Sequence, residues 1–242
     1  MNEQRKKTAT RRSARKHVLV LGAAKGTGNI GEAIADNMLE HGWFVKCDDC
    51  FDTSVADYRI PDLGYTGYDA LVVTLGKEGV QPWMSTPYEQ VADIITANLL
   101  LPLAAVHVWA QARHLLGGTA VVIGSYGHDH VLSSGVGYCA AKAGLAHAVR
   151  ALGWELTDRG YRFHIVHPYH VPSTPMGKRV VRAMVQERGY TIDEAVEYQM
   201  KDMKLPDHLT PVEIAEYVGW LVRAPEAKWM SGQGLNLYGG VR

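Results

Sequence analysis

Apolar residues fall in short unbroken runs along this chain, and between the runs they recur at helical spacing. His17 to Leu21 is a β-rich run that meets a cluster of glycines. From Gly31 to His41 the apolar positions Ile34, Ala35 and Met38 share one helical face, and Gly42 ends the pattern. Trp43 to Cys47 reads as a second strand, Ala70 to Leu75 as another, Pro87 to His114 as a long helix and Ala120 to Ile123 as a strand. Tyr138 to Thr157 then reads as a helix and Phe163 to His167 as a strand. The strand runs are continuous rather than alternating, as in strands covered on both faces. Strands that alternate with helices wind into a parallel sheet, so the expected fold is α/β, a single doubly wound parallel sheet in three layers.

Residues 174–209 break this rhythm. They are helical and charged and include Met176, Met184, Tyr190, Tyr198, Met200 and Met203, which reads as a small helical lid inserted after a strand. Thr210 then caps a helix with Pro211 in its first turn, running to about Val222, and Leu235 to Tyr238 forms a last strand before Gly239-Gly240. There is no internal repeat and no dividing linker, so 17–242 is expected to be one domain.

Charge separates the first sixteen residues from the rest. Of 25 bases and 25 acids in all, seven and one lie there, which leaves a body of 18 bases and 24 acids, net −6. A segment so basic and poor in apolar residues cannot offset its ordering entropy and is expected to be disordered. Its plainest role is a solubilising leader; a nucleic-acid-binding arm is the less favoured reading. No apolar stretch of signal length follows Arg11-Arg12, and the run Leu99–Ala110 is short and interrupted by Pro102 and His107. The expectation is a cytoplasmic protein that does not engage a membrane. Cys47 and Cys50 have C-x-x-C spacing, but Asp48-Asp49 between them raise a thiol's pKa, and no further ligands stand nearby, so neither a redox dithiol nor a metal site is expected.

The segment from Val18 through Gly22, Gly26, Thr27, Gly28, Asn29 and Ile30 to Gly31 follows a strand and opens a helix. Glycines there adopt left-handed backbone angles and let the main chain approach a pyrophosphate, and the helix N-terminus offers unpaired N–H groups to it. Asp48 and Asp49 close the second strand, where an acid accepts the hydroxyls of an adenosine ribose and repels a ribose phosphate, favouring NAD over NADP. Tyr138 and Lys142, four residues apart, lie on one helical face, and Ser125 ends the preceding strand. An ammonium and a bound nicotinamide would lower the phenol's pKa and suit it to proton transfer.

In these motifs the chain resembles the short-chain dehydrogenase/reductase family, from about residue 17 to the end, and the resemblance implies a Rossmann-type fold. It also implies a catalytic tetrad: Asn98 in "TANLLLPL", Ser125, and Tyr138 and Lys142 in "YCAAK". "HPYHVPSTPM" resembles the family's Pro-Gly turn and following Thr, which would place Pro168, Val171, Ser173 and Thr174 by the nicotinamide, and "SGQGLNLYGG" resembles its C-terminal strand and loop. Four departures stand out. The glycine loop is three residues longer than usual if Gly31 is its last glycine, with Asn29 where a glycine is usual. The stretch from Asp49 to Asp69 is short by a helix, with Val55–Asp57 as a shrunken strand. Val73-Thr74-Leu75-Gly76 replaces the usual Asn-Asn-Ala-Gly; the family's Asn helps brace the sheet, whereas Thr74 has only a hydroxyl, and the backbone can still approach the cofactor at Gly76. Tyr169 replaces the glycine of the Pro-Gly turn, and the Thr comes one residue late.

The implied activity is hydride transfer between NAD(H) and a secondary alcohol or ketone, with Tyr138 as acid/base, Ser125 positioning the oxygen, Lys142 on the ribose and Asn98 holding a relay water. His128, His130, Tyr169, His170 and Met176 are candidate substrate contacts, and the lid methionines suit a medium-sized, partly apolar molecule. The alternatives are a non-redox NAD-using dehydratase or epimerase of the same fold, or a non-catalytic dinucleotide-binding regulator. The resemblance also implies a homotetramer, with Trp109 and Trp154 either as interface aromatics or as core residues.

Overall fold

The computed structural model describes residues 15–48 and 65–241. Six strands occur among them: β1 (His17–Leu21), β2 (Phe44–Asp48), β3 (Ala70–Val73), β4 (Gly118–Ile123), β5 (Tyr161–Pro168) and β6 (Gly234–Leu237). All pairings are parallel, in the order β2-β1-β3-β4-β5-β6. The chain steps from β1 outward to β2 and returns to β3 on the other side of β1. The loops after β1 and β3 therefore diverge and leave a crevice at the C-terminal strand ends.

Alternate residues of the four central strands, β1, β3, β4 and β5, feed two cores. Val18, Val20, Val72, Val121 and Val166 pack beneath α1 (Ile30–Glu40) and α7 (Pro211–Arg223). Leu19, Leu21, Leu71, Val122 and Ile165 pack beneath α3 (Leu101–Arg113) and α4 (Val136–Leu156). Burial on both faces explains why the strand sequences are apolar throughout. Trp109 belongs to the second core; it is fully buried and its indole N–H donates to the Tyr68 carbonyl at 3.1 Å, so it is not an interface aromatic, whereas Trp154 on α4 is 93% exposed.

The long helix expected over 87–114 is interrupted. It consists of α2 (Tyr88–Ile95), a π-type turn over Thr96–Leu100, and α3. Pro102 explains the break: it offers no N–H to the carbonyl of Asn98 four residues earlier, and its ring crowds that carbonyl. This stretch is long and apolar enough to cross a membrane by composition, but half of its most apolar window is buried within the fold. The lid consists of α5 (Pro175–Arg188) and α6 (Ile192–Met200), followed by irregular chain to Thr210. Thr174, Thr191 and Thr210 cap α5, α6 and α7, the last two in reciprocal boxes with Glu194 and Glu213. Asp49, the Val55–Asp57 segment and nearly all of the basic tail lie outside the described residues.

Candidate active site

One cleft of about 600 Å³ runs along the C-terminal strand ends, from the loop after β1, past β3 and β4, to the turn after β5 and the lid. Gly22, Thr27, Asn29, Ile30 and Gly31 line one end, Gly76, Ser125, Tyr138 and Lys142 the middle, and Pro168, Tyr169, His170, Val171, Thr174 and Met176 the far side.

At the first end, the close approach of two backbones requires glycine. A Cβ on Gly31 would lie 2.6 Å from the Gly22 carbonyl oxygen, and one on Gly22 would lie 2.6 Å from the Thr74 hydroxyl. That hydroxyl donates to the Leu21 carbonyl at 2.8 Å, alongside the Thr74 N–H at 2.9 Å. Thr74 thus ties β3 to β1 in place of the family's Asn. Asn29 caps α1, accepting from the Glu32 N–H at 2.8 Å and donating to the Gly22 carbonyl at 3.2 Å. With Gly26 and Gly28 both at positive φ, the N–H groups of Gly26, Thr27 and Gly28 converge on the Glu32 carboxylate, those of Thr27 and Gly28 at 3.0 and 2.8 Å. These bonds hold Glu32 below the usual carboxylate range, led by that from Gly26. Such a nest is built for an anion, and the Glu32 carboxylate, which is solvent-exposed, shows that its donors converge. The same donors suit a phosphate of a dinucleotide. Gly26 and Gly28 stand outside the cleft lining; Asp48 also does, at the end of β2, where its carbonyl accepts from the Gly22 N–H at 2.7 Å.

In the middle, α4 begins at Val136, so Tyr138 and Lys142 are both in its first two turns. The Lys142 ammonium is 5.7 Å from the centre of the Tyr138 ring and donates to the Ile123 carbonyl at 3.1 Å. Burial lowers Lys142 to about 8. Burial pushes the Tyr138 phenol up, and the Ser125 hydroxyl beside it draws it partly back. In the protein alone, desolvation is the larger of these two effects. Asn98 is fully buried outside the cleft wall. Its amide donates to the carbonyls of Lys77 and Ile94, each at 2.9 Å, and its carbonyl oxygen accepts from the Lys77 N–H at 3.3 Å. A Cβ on Gly76 would lie 2.8 Å from that oxygen and 3.6 Å from the Lys142 ammonium, so Gly76 brings Asn98 and Lys142 within reach of one another.

Two histidines secure Ser125 from behind. Its N–H donates to His167 Nδ1 at 3.3 Å, and His128 Nδ1 bonds its carbonyl at 2.9 Å, the two imidazoles stacking with centres 3.6 Å apart. The Tyr238 hydroxyl, brought in from the C-terminus, lies 3.0 Å from His128 Nδ1 and donates to Asp129 at 3.2 Å. His130 stacks on Tyr126, 4.1 Å between centres. His128 and His130 are therefore packed behind the wall and do not line the cleft. Burial holds His167 down to about 3 and His170 down to about 4, so both are neutral at pH 7.

On the far side, Thr174 lines the cleft and is fixed by its own hydroxyl, which donates to the Val171 carbonyl at 2.9 Å and accepts from the Gly177 N–H at 3.0 Å; Ser173 stands outside the lining set. The lid is joined to the loop after β3 by a two-pronged ion pair, in which Arg179 donates to Glu78 at 2.7 and 3.1 Å. Glu32, Glu78, Arg179 and His167 were not legible as site residues, although Asn29-x-x-Glu32 has the spacing of a helix cap with its N3 acid. Among the described residues, no group of three or more His, Cys, Asp or Glu side chains is placed to share a metal ion.

A parallel sheet with its crevice at the switch point, a glycine nest at one end and a Ser-Tyr-Lys cluster in the middle define a dinucleotide-dependent oxidoreductase of the short-chain type. Residues 62–242 match the family described as enoyl-(acyl carrier protein) reductase, and the chain belongs to that family, within the short-chain dehydrogenase/reductase superfamily. It is an NAD(P)(H)-dependent oxidoreductase that moves hydride to or from carbonyl and alcohol groups. The vibriobactin-specific 2,3-dihydro-2,3-dihydroxybenzoate dehydrogenase of Vibrio cholerae is 26% identical, over 85% of this chain and 88% of its own. A single-substitution variant of the actinorhodin polyketide ketoreductase, with NADPH, shares the fold with a TM-score of 0.79 at 22% identity, covering 93% of this chain and 97% of its own. The ligand-free aldohexose dehydrogenase of Thermoplasma acidophilum does so with a TM-score of 0.75 at 21% identity, covering 93% of each chain.

Proposed function

We propose that the protein is an NAD(H)-dependent dehydrogenase/reductase of secondary alcohols and ketones, with Asn98, Ser125, Tyr138 and Lys142 as its catalytic residues. The observation that carries this reading is the meeting of Ser125, Tyr138 and Lys142 in the cleft whose other end is lined by Gly22, Thr27, Asn29, Ile30 and Gly31 of the glycine loop. Bound there, the dinucleotide supplies the hydride or accepts it. The chain's own residues manage the proton and the orientation. Tyr138 holds the proton at its phenolic oxygen and passes it to the substrate oxygen in reduction, taking it back in oxidation. Ser125, fixed through its backbone by His167 and His128, orients that oxygen. Lys142 would hold the nicotinamide ribose, and Asn98 a water that relays protons from Lys142 to solvent. Thr174 and Val171 hold the nicotinamide end, and the backbone N–H groups of the β1–α1 loop hold the phosphates, displacing Glu32.

Asp48 at the end of β2 and Asp49 next in sequence give the ribose position an acidic character that disfavours a ribose phosphate and supports NAD over NADP. Trp154, exposed on α4, suits burial against another copy in a homotetramer. The decisive experiment is a panel of secondary alcohols and ketones followed by nicotinamide absorbance with each dinucleotide. Turnover with NAD(H) at least about tenfold more efficient than with NADP(H) is expected; efficient turnover with NADP(H) alone would overturn the cofactor assignment. Light scattering on the purified protein tests the tetramer.

A further inference from the structure

The lid wall of the cleft carries more positive charge than the chemistry in the middle uses. Arg179, Arg188 and Lys201 all line it. Arg179 is taken by Glu78, but among the described residues neither Arg188 nor Lys201 forms an ion pair. Both gather instead on one aromatic ring: the Arg188 guanidinium lies 5.0 Å and the Lys201 ammonium 4.2 Å from the centre of Tyr198. Hydrogen bonding from Arg188, then the charges of both cations, draws the Tyr198 phenol below its usual range. The remaining acid on this wall, Asp202, raises the phenols of Tyr126 and Tyr169 and forms no ion pair with either cation among the described residues. Arg188 is not needed to close its own helix either, because Gly189, in a left-handed conformation, donates its N–H to the Val185 carbonyl at 3.1 Å.

An independent feature lies beside them. Gln199 lines the cleft yet is 4% exposed. Its one hydrogen bond is from its amide nitrogen to the Met184 sulfur at 3.4 Å, a weak acceptor. A buried amide held by so weak an acceptor has an N–H to spare for water or a ligand in the cleft. The lid also lines the same cleft with the apolar side chains of Met176, Val180 and Met184.

We propose that Arg188, Lys201 and Gln199 form a subsite for an anionic group, a carboxylate or a phosphate, on the far end of a substrate whose apolar middle lies against the lid methionines. The subsite rests on the dehydrogenase reading for the substrate's other end. Two like charges held over one ring repel each other, and an anion between them relieves that repulsion while gaining charge-assisted hydrogen bonds. Selection then acts on substrate binding, far from the reacting carbon, and is read in KM.

The test compares three matched alcohols: a hydroxycyclohexane carboxylate, the corresponding phosphate monoester and the corresponding neutral carboxamide. Each is assayed for turnover and, by calorimetry, for binding to the full chain in the presence of NAD⁺. At least one anion is expected to exceed the carboxamide by about tenfold or more in kcat/KM, through KM, and the better anion names the source. The variant Arg188→Met/Lys201→Met should abolish that advantage and leave the carboxamide unchanged; Gln199→Leu should reduce it, and Arg188→Lys should keep most of it. Thermal melts confirm that each variant is folded. If the anions bind, the double variant loses that binding, and no alcohol is oxidised, the subsite stands and the dehydrogenase reading fails. If the carboxamide is oxidised as well as the anions, or the double variant keeps the advantage, the subsite is overturned and the dehydrogenase reading stands. Absence of binding by both anions at millimolar concentration also overturns it.

Discussion

The two walls of the cleft are held by different forces. The sheet wall, from Gly22 through Thr74 and Ser125 to Pro168, is fixed by main-chain hydrogen bonds between parallel strands and by buried groups such as Asn98 and His167. The lid wall rests on helix caps at Thr174 and Thr191, on a small apolar cluster of Val181, Met184 and Ala195, on Met200 and Met203 packed against Tyr126, Tyr169 and Tyr238, and on one partly exposed ion pair, Arg179–Glu78. The first wall therefore sets reacting atoms to within a fraction of an ångström, whereas the second can shift without unfolding the sheet. In this molecule the chemistry sits on the rigid side and the groups that suit substrate selection sit on the movable side.

The contrast is broken most severely on the sheet wall. Tyr138→Phe should lower turnover by at least about 10²-fold with little change in stability, because only the phenolic oxygen is removed. Normal steady-state turnover in that variant would remove Tyr138 from the mechanism.

Lys142→Met separates activity from stability. Turnover should fall by about 10² or more, while the fold gains. Burial lowers Lys142 from 10.5 to about 8, so below pH 8 both folded and unfolded chains carry the proton and the full burial cost is present. Between pH 8 and 10.5 the native state has released a proton that the unfolded chain still binds, so wild-type stability rises with pH across that window, by about 3 kcal/mol relative to the variant. At pH 7 the variant should be the more stable of the two in denaturant melts. A constant difference between pH 7 and 10.5 would show that the ammonium is not strained by burial.

Thr74→Val removes the side-chain bond to the Leu21 carbonyl at the switch point and should cost about 1 kcal/mol. An unchanged denaturation midpoint would mean that the Thr74 N–H alone braces β1 to β3. The smallest effect is expected on the lid. Glu78→Gln unties Arg179 and, as the pair is partly exposed, should raise KM by about two- to fivefold with kcat and stability nearly unchanged. A large fall in kcat instead would place the lid contact in the chemical step.

Which parts were legible follows from how local they are. Tyr138 and Lys142 could be paired from spacing alone because one helix carries both. Asn98 was reached only through the resemblance of the segment around it, since it lies forty residues before Tyr138 and no spacing rule joins the two. The resemblance marked Thr74 as a departure, a bare hydroxyl where an amide usually braces the sheet, and only the structure shows that hydroxyl bonding Leu21. His128 and His130 were expected at the substrate, but the turn after Ser125 folds them back onto His167 and Tyr126, and Tyr238, over a hundred residues later in the chain, completes their packing. Arg179 meets Glu78 across a similar separation, and no local pattern announces such a pair.

From its order of residues alone the chain determined a parallel α/β sheet, a glycine nest after the first strand and a Tyr-Lys pair on one helix, since each depends on backbone sterics and periodicity within a few turns. Only the tertiary structure decided which side chains share the cleft, which histidines fall behind it and where the lid's charges converge. Those outcomes depend on contacts between distant segments, whose geometry is set by how the two layers of helices settle on the twisted sheet.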